Sequence, residues 1–185
     1  MLPKQKAGEE ALKDTELKVI SELMKNSRRS DRELAKAIGA SQPTVSRIIK
    51  KLEKEGIIKE YTMIPNFSKL GYKILALTFV RLKTALNQEQ IERAREIAKE
   101  RLRAGPSEVV MLERGLGLGF DGVFITYHED YSSYEKFADW LRQFDFLAIK
   151  DAQSFIVNLE SPVRYRPLTF SVLANHVREM KEKKE

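Results

Sequence analysis

The feature that most constrains the fold is a very short connection between two amphipathic segments in the first third of the chain. The connection is "ASQ" at residues 40–42, and it follows Gly39. Each flanking segment has apolar residues at three- and four-residue spacing: Leu34, Ala35 and Ile38 before it, and Val45, Ile48, Ile49 and Leu52 after it. Three residues allow only a tight turn, so the sequence predicts two helices packed closely together.

Signals that begin and end helices surround this turn. Ser30 and Glu33 have the spacing of a capping box, and Gly39 can end the helix between them and the turn. Ser41 can cap the next helix, whose first turn tolerates Pro43. The sequence therefore predicts helix boundaries on both sides of the turn.

A further helix is expected before this pair and a strand after it. The first helix would be capped by Asp14 or Thr15. Its apolar stripe would be Leu17, Ile20, Leu23 and Met24. Gly56 can end the third helix, and "IIKEYTMI" at residues 57–64 is rich in β-branched and aromatic residues. This order predicts a winged helix-turn-helix.

In such a fold the third helix enters the DNA major groove with its N-terminal residues first. Arg and Gln side chains can read guanine and adenine edges, and later lysines meet phosphates. The residues expected at the bases are Gln42, Thr44, Ser46 and Arg47, and Ser41 just before them is also expected to bind DNA. Those expected at the phosphate backbone are Lys50, Lys51 and Lys54, with Arg28, Arg29 and Ser30 at the start of the second helix.

Other interpretations of the basic helix are open. A Lys-rich helix face is often only solvated surface, and some helix-turn-helix folds serve protein contacts alone. The net charge of +6, from 33 Lys/Arg and 27 Asp/Glu, is mild for a nucleic-acid-binding protein, although charge is densest in the N-terminal third. A protein-interaction adaptor without DNA affinity is therefore one alternative.

The stretch Asp14–Tyr72 resembles the winged helix-turn-helix of the Lrp/AsnC (leucine-responsive regulator) transcription factors. The resemblance rests on the "ELAKAIGAS" turn, on "TVSRIIKKLEKEGIIKEYT" as recognition helix and wing, and on a Pro-Asn linker. It implies a transcriptional regulator, expected from an archaeal source. Such a regulator would bind double-stranded DNA and could respond to a small effector such as an amino acid.

The remainder of the chain predicts a ferredoxin-like βαββαβ sandwich, so the fold class is α+β. The expected strands are 73–82, 107–114, 123–129 and 152–160, the expected helices 87–104 and 131–144, and a loop is expected at 115–122. A C-terminal helical extension follows: an arm containing Pro162 and Pro167, then a helix at 171–185. Its apolar residues Val172, Leu173 and Val177 could pack against the fold, and exchange with a partner subunit is possible.

Both faces of the predicted sheet are apolar. Ile74, Ala76 and Val80 alternate with Leu75, Leu77 and Phe79 in the first strand. The two predicted helices cover one face only, and large exposed apolar patches are rare in soluble monomers. We therefore expect a two-fold homodimer through sheet packing, or a higher oligomer, on a palindromic operator. The alternative is that the C-terminal segment covers this face within one chain.

The resemblance also implies an effector loop between the two middle strands. The corresponding residues are Gly115, Gly117, Gly119 and Asp121. Glycine amides can bind a carboxylate, but the Gly-Asp-Tyr-Asp run of the family is present here only partly, as Phe120-Asp121-Gly122. A plain hairpin is the alternative interpretation.

Composition gives little support to an enzyme. The chain has no Cys and two His, His128 and His176, so thiolate sites are excluded and no metal or cofactor is expected. His128, Asp121, Glu129 and Asp130 could form an acid–base site, and similar two-domain chains resemble siroheme decarboxylases, so an enzyme is a second alternative. The sequence has neither a transmembrane run nor a signal peptide, which predicts a cytoplasmic protein.

The expected organisation has five parts. They are a tail (1–13), a winged helix-turn-helix DNA-binding domain (14–64), a linker (65–72), a ferredoxin-like dimerisation and effector domain (73–160), and a C-terminal arm and helix (161–185).

Overall fold

A computed structural model of the chain describes residues 12–83, 86–105, 108–143 and 149–179. These residues form two compact units, one running up to Ile64 and resuming at Tyr165, the other spanning Pro65–Arg164. The predictions made for residues 1–11, Pro106, Ser107, Phe144 and residues 180–185 lie outside the described residues. No helix within the described ranges is both long and apolar enough to span a bilayer.

The first unit contains four helices among its described residues. They are α1 (Asp14–Lys25), α2 (Asp31–Ile38), α3 (Gln42–Lys54) and the C-terminal α6 (Leu173–Glu179), which packs against α1. In α6 Ala174 is buried and Val177 half-buried, whereas Val172 and Leu173 stay about half exposed, so only Val177 of the three expected residues packs well.

The start of α1 differs from the prediction. Its N-terminal cap position is Lys13, and Asp14 and Thr15 already lie inside the helix. Lys has no short side chain that could accept a hydrogen bond at this position. The bond at the start of the helix is instead made by Glu16, whose carboxylate accepts the Lys13 backbone N–H at 2.8 Å. Asp14 instead pairs with Lys18 at 2.6 Å, one turn further on.

The segment after α3 is not a strand. Residues 57–64 have no regular secondary structure, because a strand needs a hydrogen-bonded neighbour and the side chains hold this segment instead. The Tyr61 hydroxyl donates to Glu53 at 3.0 Å, and the Ser27 hydroxyl approaches the Thr62 carbonyl at 3.4 Å. The β-branched composition was therefore an insufficient predictor of a strand here.

The second unit has the predicted βαββαβ order. After a 3₁₀ helix at Phe67–Leu70 come β1 (Ile74–Leu82), α4 (Gln88–Ala104), β2 (Val109–Gly117), β3 (Phe120–His128), α5 (Tyr131–Arg142) and β4 (Ile149–Asn158). The four antiparallel strands lie in the order β2-β3-β1-β4. This arrangement confirms the ferredoxin-like α+β fold class.

The connection between β2 and β3 is shorter than predicted. The expected loop at 115–122 is a two-residue turn, because β2 continues to Gly117, which pairs with Phe120. The turn residues Leu118 and Gly119 have φ of 53° and 76°, and two successive positive φ angles are those of a type I′ hairpin turn.

One face of the sheet packs under α5. Val80 and Phe124 of the sheet meet Phe137 and Leu141 of the helix, all at most 4% exposed. The Phe124 and Phe137 rings meet edge-on with centroids 5.8 Å apart. This cluster is the core of the unit.

The opposite face is apolar across all four strands. The pairing register aligns Met111, Ile125, Leu77 and Phe155 in one row on this face. Phe155 is 67% exposed and Met111 36% exposed in the described chain. The row is called the apolar row below.

His128 is a polar residue that is fully enclosed by the core. It is 0% exposed, its Nε2 lies 2.7 Å from the Thr126 hydroxyl, and its ring contacts Tyr134 and Phe137. Its Nδ1 has no hydrogen-bond partner among the described residues. Burial lowers the pKa of His128 below its ordinary value, and the charge of Glu108 offsets part of that effect.

The depressed pKa of His128 predicts acid sensitivity. The unfolded chain binds this proton at its ordinary pKa of about 6.5, whereas the folded chain resists it, so unfolding free energy should fall as pH drops below that value. One such group contributes a slope of at most about 1.4 kcal/mol per pH unit. His128→Gln can still bond Thr126 but does not titrate, so its slope between pH 7.5 and 5.5 should be smaller.

Urea unfolding followed by fluorescence of the single tryptophan, Trp140 of α5, measures the slope. The matched control is His176→Gln in α6, an exposed histidine, which should keep the wild-type slope. Parallel curves for wild type and His128→Gln would contradict the assignment.

Candidate nucleic-acid interface

The α2–α3 pair is held together by a small apolar core. Leu34 and Val45 are 0% exposed and Ala35 is 6% exposed. Leu52, further along α3, is also fully buried. Because these residues fix which side of α3 faces inward, the side chains on its other side must face solvent.

The turn between the helices has the predicted chemistry. Gly39 adopts a left-handed conformation with φ of 71° at the end of α2, and the Ala40 N–H donates to the Ala35 carbonyl at 3.0 Å. The Ser41 side chain accepts the Thr44 N–H at 3.3 Å, and the two hydroxyls lie 2.8 Å apart. The first turn of α3 is therefore capped, with Gln42 and Pro43 exposed.

Three cations lie on the outer side of α3. Arg47, Lys50 and Lys54 follow one another at i, i+3 and i+7, so they face the same direction, and all three are exposed. None of the three has an ion pair with another described residue. These residues are called the cationic face below.

The other residues predicted for the interface have varied surroundings. Arg28, Ser30 and Ser41 are exposed, and Thr44, Ser46, Arg29 and Lys51 are partly buried. Ser30 accepts the Glu33 N–H, while its own N–H and hydroxyl donate to the Glu33 carboxylate at 2.8 Å. These bonds lower the pKa of Glu33 and complete the predicted capping box.

Lys51 has a role that the sequence did not indicate. Its Nζ lies 2.8 Å from the carboxylate of Glu16, which is 4% exposed, and 3.8 Å from that of Glu55. Burial alone would raise the pKa of Glu16, but the bonds and charges of Lys51 and Lys13 outweigh it, so this pKa is below its ordinary value. Lys51 therefore ties α3 to α1. Arg29 similarly pairs with Glu22 of α1.

The residues of the implied effector loop lie in three parts of the hairpin: β2, the turn and β3. Gly115, Gly117 and Gly119 are exposed in β2 and the turn. The Asp121 carboxylate accepts the Leu82 N–H at 2.8 Å, and Arg81 Nε donates to the Gly119 carbonyl at 2.5 Å. A side chain at Gly119 would come within 2.9 Å of the Arg81 guanidinium. The turn is thus fastened to the end of β1.

Of the four residues of the enzyme alternative, Glu129 is exposed and the other three serve structural purposes. His128 is enclosed by Thr126, Tyr134 and Phe137, Asp121 accepts the Leu82 N–H, and Asp130 caps α5 by accepting the Ser133 N–H at 2.8 Å. Across the described ranges, no three His, Cys, Asp or Glu side chains cluster as a metal site would require.

Comparison with known proteins agrees with this geometry. Residues 12–59 match the winged helix-turn-helix DNA-binding family. The leucine-responsive regulatory protein of Rhizobium meliloti is 38% identical over 68 residues, 37% of this chain and 44% of the relative. LrpC of Bacillus subtilis is 39% identical over 74 residues, 40% and 51% of the two chains. Part of this chain is therefore homologous to the leucine-responsive regulatory protein and LrpC, regulators of the Lrp/AsnC type.

Another relative of this Lrp/AsnC homologue is archaeal. The uncharacterized HTH-type regulator PF2053 of Pyrococcus furiosus is 35% identical over 102 residues, 55% of this chain and 63% of that protein. The chain thus spans between 44% and 63% of the length of these three curated relatives.

Solved structures show that the fold extends beyond the matched sequence. The structure of B. subtilis LrpC superimposes with a TM-score of 0.63 at 24% identity, covering 85% of this chain and all of LrpC. The regulator NMB0573 of Neisseria meningitidis, solved as a complex with L-Met, gives a TM-score of 0.69 at 24% identity, covering 90% and 99%. The Lrp/AsnC homologue therefore shares both parts of its fold with these proteins.

The contrast between Lys51 and Lys54 generates a prediction. Lys51→Met leaves the Glu16 carboxylate buried without its cation, so unfolding free energy should fall by about 1–3 kcal/mol. Lys54→Met removes the same charge from the exposed cationic face and should change it by about 0.5 kcal/mol or less. Urea unfolding followed by far-ultraviolet circular dichroism compares the two variants, and equal losses would contradict the structural role of Lys51.

Proposed function

We propose that the Lrp/AsnC homologue is a sequence-specific double-stranded-DNA-binding transcriptional regulator. It acts in the cytoplasm as a dimer or higher oligomer on a palindromic operator. The observation that carries the proposal is the cationic face, which is exposed because the opposite side of α3 is buried against α2. Regulatory relatives and the matched DNA-binding family support it.

The surroundings of each residue suggest different roles at the DNA. Gln42, Ser46 and Arg47 lie in the first half of α3, where side chains reach base edges in the major groove. Lys50 and Lys54, further along, are suited to phosphates, as are Arg28 and the start of α2 at Ser30. The hydroxyls of Ser41 and Thr44 would set the start of α3.

Two of the expected phosphate contacts receive a different assignment. Lys51 and Arg29 are already paired with carboxylates of α1. Moving Lys51 to a phosphate would leave the buried Glu16 carboxylate without this cation, whereas Glu22, the partner of Arg29, would keep Lys25 at 2.7 Å. We therefore assign Lys51 and Arg29 to holding the motif together rather than to DNA affinity.

The apolar row supports the dimer. Directly opposed residues on four adjacent strands make a continuous apolar strip, and its outer residues Phe155 and Met111 are open to solvent in a single chain. A second copy related by a two-fold axis would bury this strip against itself. Two copies of α3 held about 34 Å apart would then read successive turns of a palindromic duplex.

A small effector such as an amino acid is part of the proposal. The support is that NMB0573, a regulator of the same fold, was solved as a complex with L-Met. The glycines of the β2–β3 hairpin and Asp121 remain the predicted effector residues on grounds of family resemblance.

DNA binding has a direct test in the salt dependence of affinity. Binding to a selected duplex should weaken steeply with salt because phosphate contacts release counterions. Arg47→Ala should lose about 1–3 kcal/mol on the selected site and much less on random duplex, because it removes a base contact. Lys50→Ala should weaken both duplexes alike and reduce the salt slope by about one.

Fluorescence anisotropy at several salt concentrations measures these differences. Lys136→Ala, an exposed lysine of α5, removes the same charge outside the helix-turn-helix and is the matched control. An adaptor or an enzyme on this scaffold would bind neither duplex with a selected-site preference, and that result would overturn the proposed function.

Dimerisation through the apolar row has a separate test. Phe155→Asp places a carboxylate where two sheets would meet, so the dimer should dissociate at micromolar concentrations. Leu118→Asp, at the 84% exposed tip of the hairpin, introduces the same charge in a left-handed conformation that Asp tolerates, and it should stay dimeric. Sedimentation equilibrium distinguishes the two, and a monomeric wild type would refute sheet pairing.

A further inference from the structure

The second unit contains an open cavity between α4 and the sheet, with a volume of about 470 Å³. Its apolar lining from the sheet includes Val80, Leu112 and Phe124, and its lining from α4 includes Ile91, Ala98 and Leu102. The apolar side of α4 therefore lies across a space from Val80 and Phe124, and α4 contributes no described residue to the packed cluster that these two form with α5.

The size of this cavity is unusual for an interior. Protein cores pack as tightly as organic crystals, and a water molecule occupies only about 30 Å³. Small-molecule sites typically measure about 300–1,000 Å³ and are lined mainly by apolar side chains with a few polar groups. The space under α4 has the dimensions and the lining of a ligand site.

Strand alternation gives the cavity a cationic edge. On β2, Arg114 follows Leu112 by two residues and pairs with Gly122, so it lies on the helix-covered face with the cavity. Glu113 also lines the cavity, but it pairs with Val123, so its side chain belongs to the opposite face of the sheet. Arg114 is exposed and has no ion pair with another described residue.

Two further cations line the cavity and add to the positive charge of Arg114. They are Arg95 and Lys99 of α4, and Lys99 forms an ion pair with Glu96, with 2.8 Å between Nζ and Oε1. Of the two acidic residues that line the cavity, Glu113 has its side chain on the opposite face of the sheet, and the Asp121 carboxylate already accepts the Leu82 N–H at 2.8 Å. An apolar interior with Arg95 and Arg114 at its edge is complementary to a molecule with an apolar tail and one carboxylate.

We propose that the cavity between α4 and the sheet binds a small monocarboxylate with an apolar tail, of the medium-chain fatty-acid type. Arg95 and Arg114 hold the carboxylate, and the tail lies between α4 and Phe124. This site differs from the hairpin glycines expected from family resemblance, none of which lines the cavity, although Asp121 of the same expected set does line it. Ligand binding here is independent of DNA binding, and only a role as effector rests on the proposed function.

Isothermal titration of the full-length protein with four eight-carbon compounds tests the chemistry. Octanoate should bind one molecule per chain. Octan-1-ol, which lacks the charge, and octylammonium, which reverses it, should bind at least about tenfold more weakly. The zwitterion 2-aminooctanoate should also bind more weakly, because its ammonium meets Arg95 and Arg114.

Tail length is a further test. Each buried methylene contributes about fourfold in affinity, so hexanoate should bind at least about tenfold more weakly than octanoate. Absence of octanoate binding, equal binding of octan-1-ol, or tighter binding of 2-aminooctanoate would each overturn the proposal.

Matched variants locate the site. Ala98→Phe fills the cavity and should abolish octanoate binding, whereas Ala138→Phe enters a separate cavity of about 400 Å³ beneath α5 and should leave it unchanged. Arg95→Gln and Arg114→Gln should each weaken binding about tenfold, and Arg103→Gln, exposed on the same helix but outside the cavity, should not.

The arginine variants lie at exposed positions, so they test the site even where Ala98→Phe reduces stability. Unchanged octanoate affinity in both arginine variants would overturn the proposal. Duplex affinity measured on the same preparations separates the two hypotheses, since intact DNA binding without octanoate binding refutes the ligand site alone.

Discussion

The burial of one side of α3 against α2 is the interaction on which the candidate interface depends. Val45 and Leu52 lie two helical turns apart on the same side, and both are fully enclosed. A helix has one rotational setting that buries both residues, and that setting directs Arg47, Lys50 and Lys54 outward. The position of the cationic face is therefore decided by apolar packing, and the charges themselves do little to set it.

Each face of the sheet in the second unit has apolar surface that the described chain does not cover, and the two faces differ in what could cover it. The apolar row lies on the face opposite α5 with Phe155 open to solvent, and a copy of the chain related by a two-fold axis would bury such a strip against itself. On the helix-covered face, the space under α4 is concave and edged by Arg95 and Arg114. A concave apolar space with charge at one edge suits a small molecule better than another protein.

Features that depend on neighbouring residues were predicted correctly more often than features that depend on residues far apart in the sequence. The boundaries at Ser30, Gly39 and Ser41 follow from side chains within three residues of the backbone groups they bond, so the sequence contains all the information needed. The strand expected at residues 57–64 failed because β propensity does not supply a neighbouring strand. The glycines of 115–119 suggested a loop, yet pairing with β3 extends β2 through them to Gly117.

The candidate interface also contains a contact between distant residues that the sequence did not predict. Glu16 and Lys51 are 35 residues apart, and no local pattern connects them. A signal was nevertheless present, because Glu16 lies one turn before Ile20 and two before Leu23, on the apolar stripe of α1, where a carboxylate requires a partner. His128 was considered for chemistry because of its residue type, whereas its enclosure by Thr126 and Phe137 depends on a fold that the sequence reveals only coarsely.

Periodicity explains how a chain with a small net charge presents strongly charged surfaces. Glu113 and Arg114 cancel each other in a sum along the sequence, but the two-residue period of a strand places their side chains on opposite faces, so the side chain of Arg114 lies on the cavity's face of the sheet and that of Glu113 does not. In α3 the 3.6-residue period separates Lys51, which neutralises Glu16, from Lys50 and Lys54, which neutralise no described residue. The charge that a ligand meets is therefore set by the period of each element and by where its carboxylates lie.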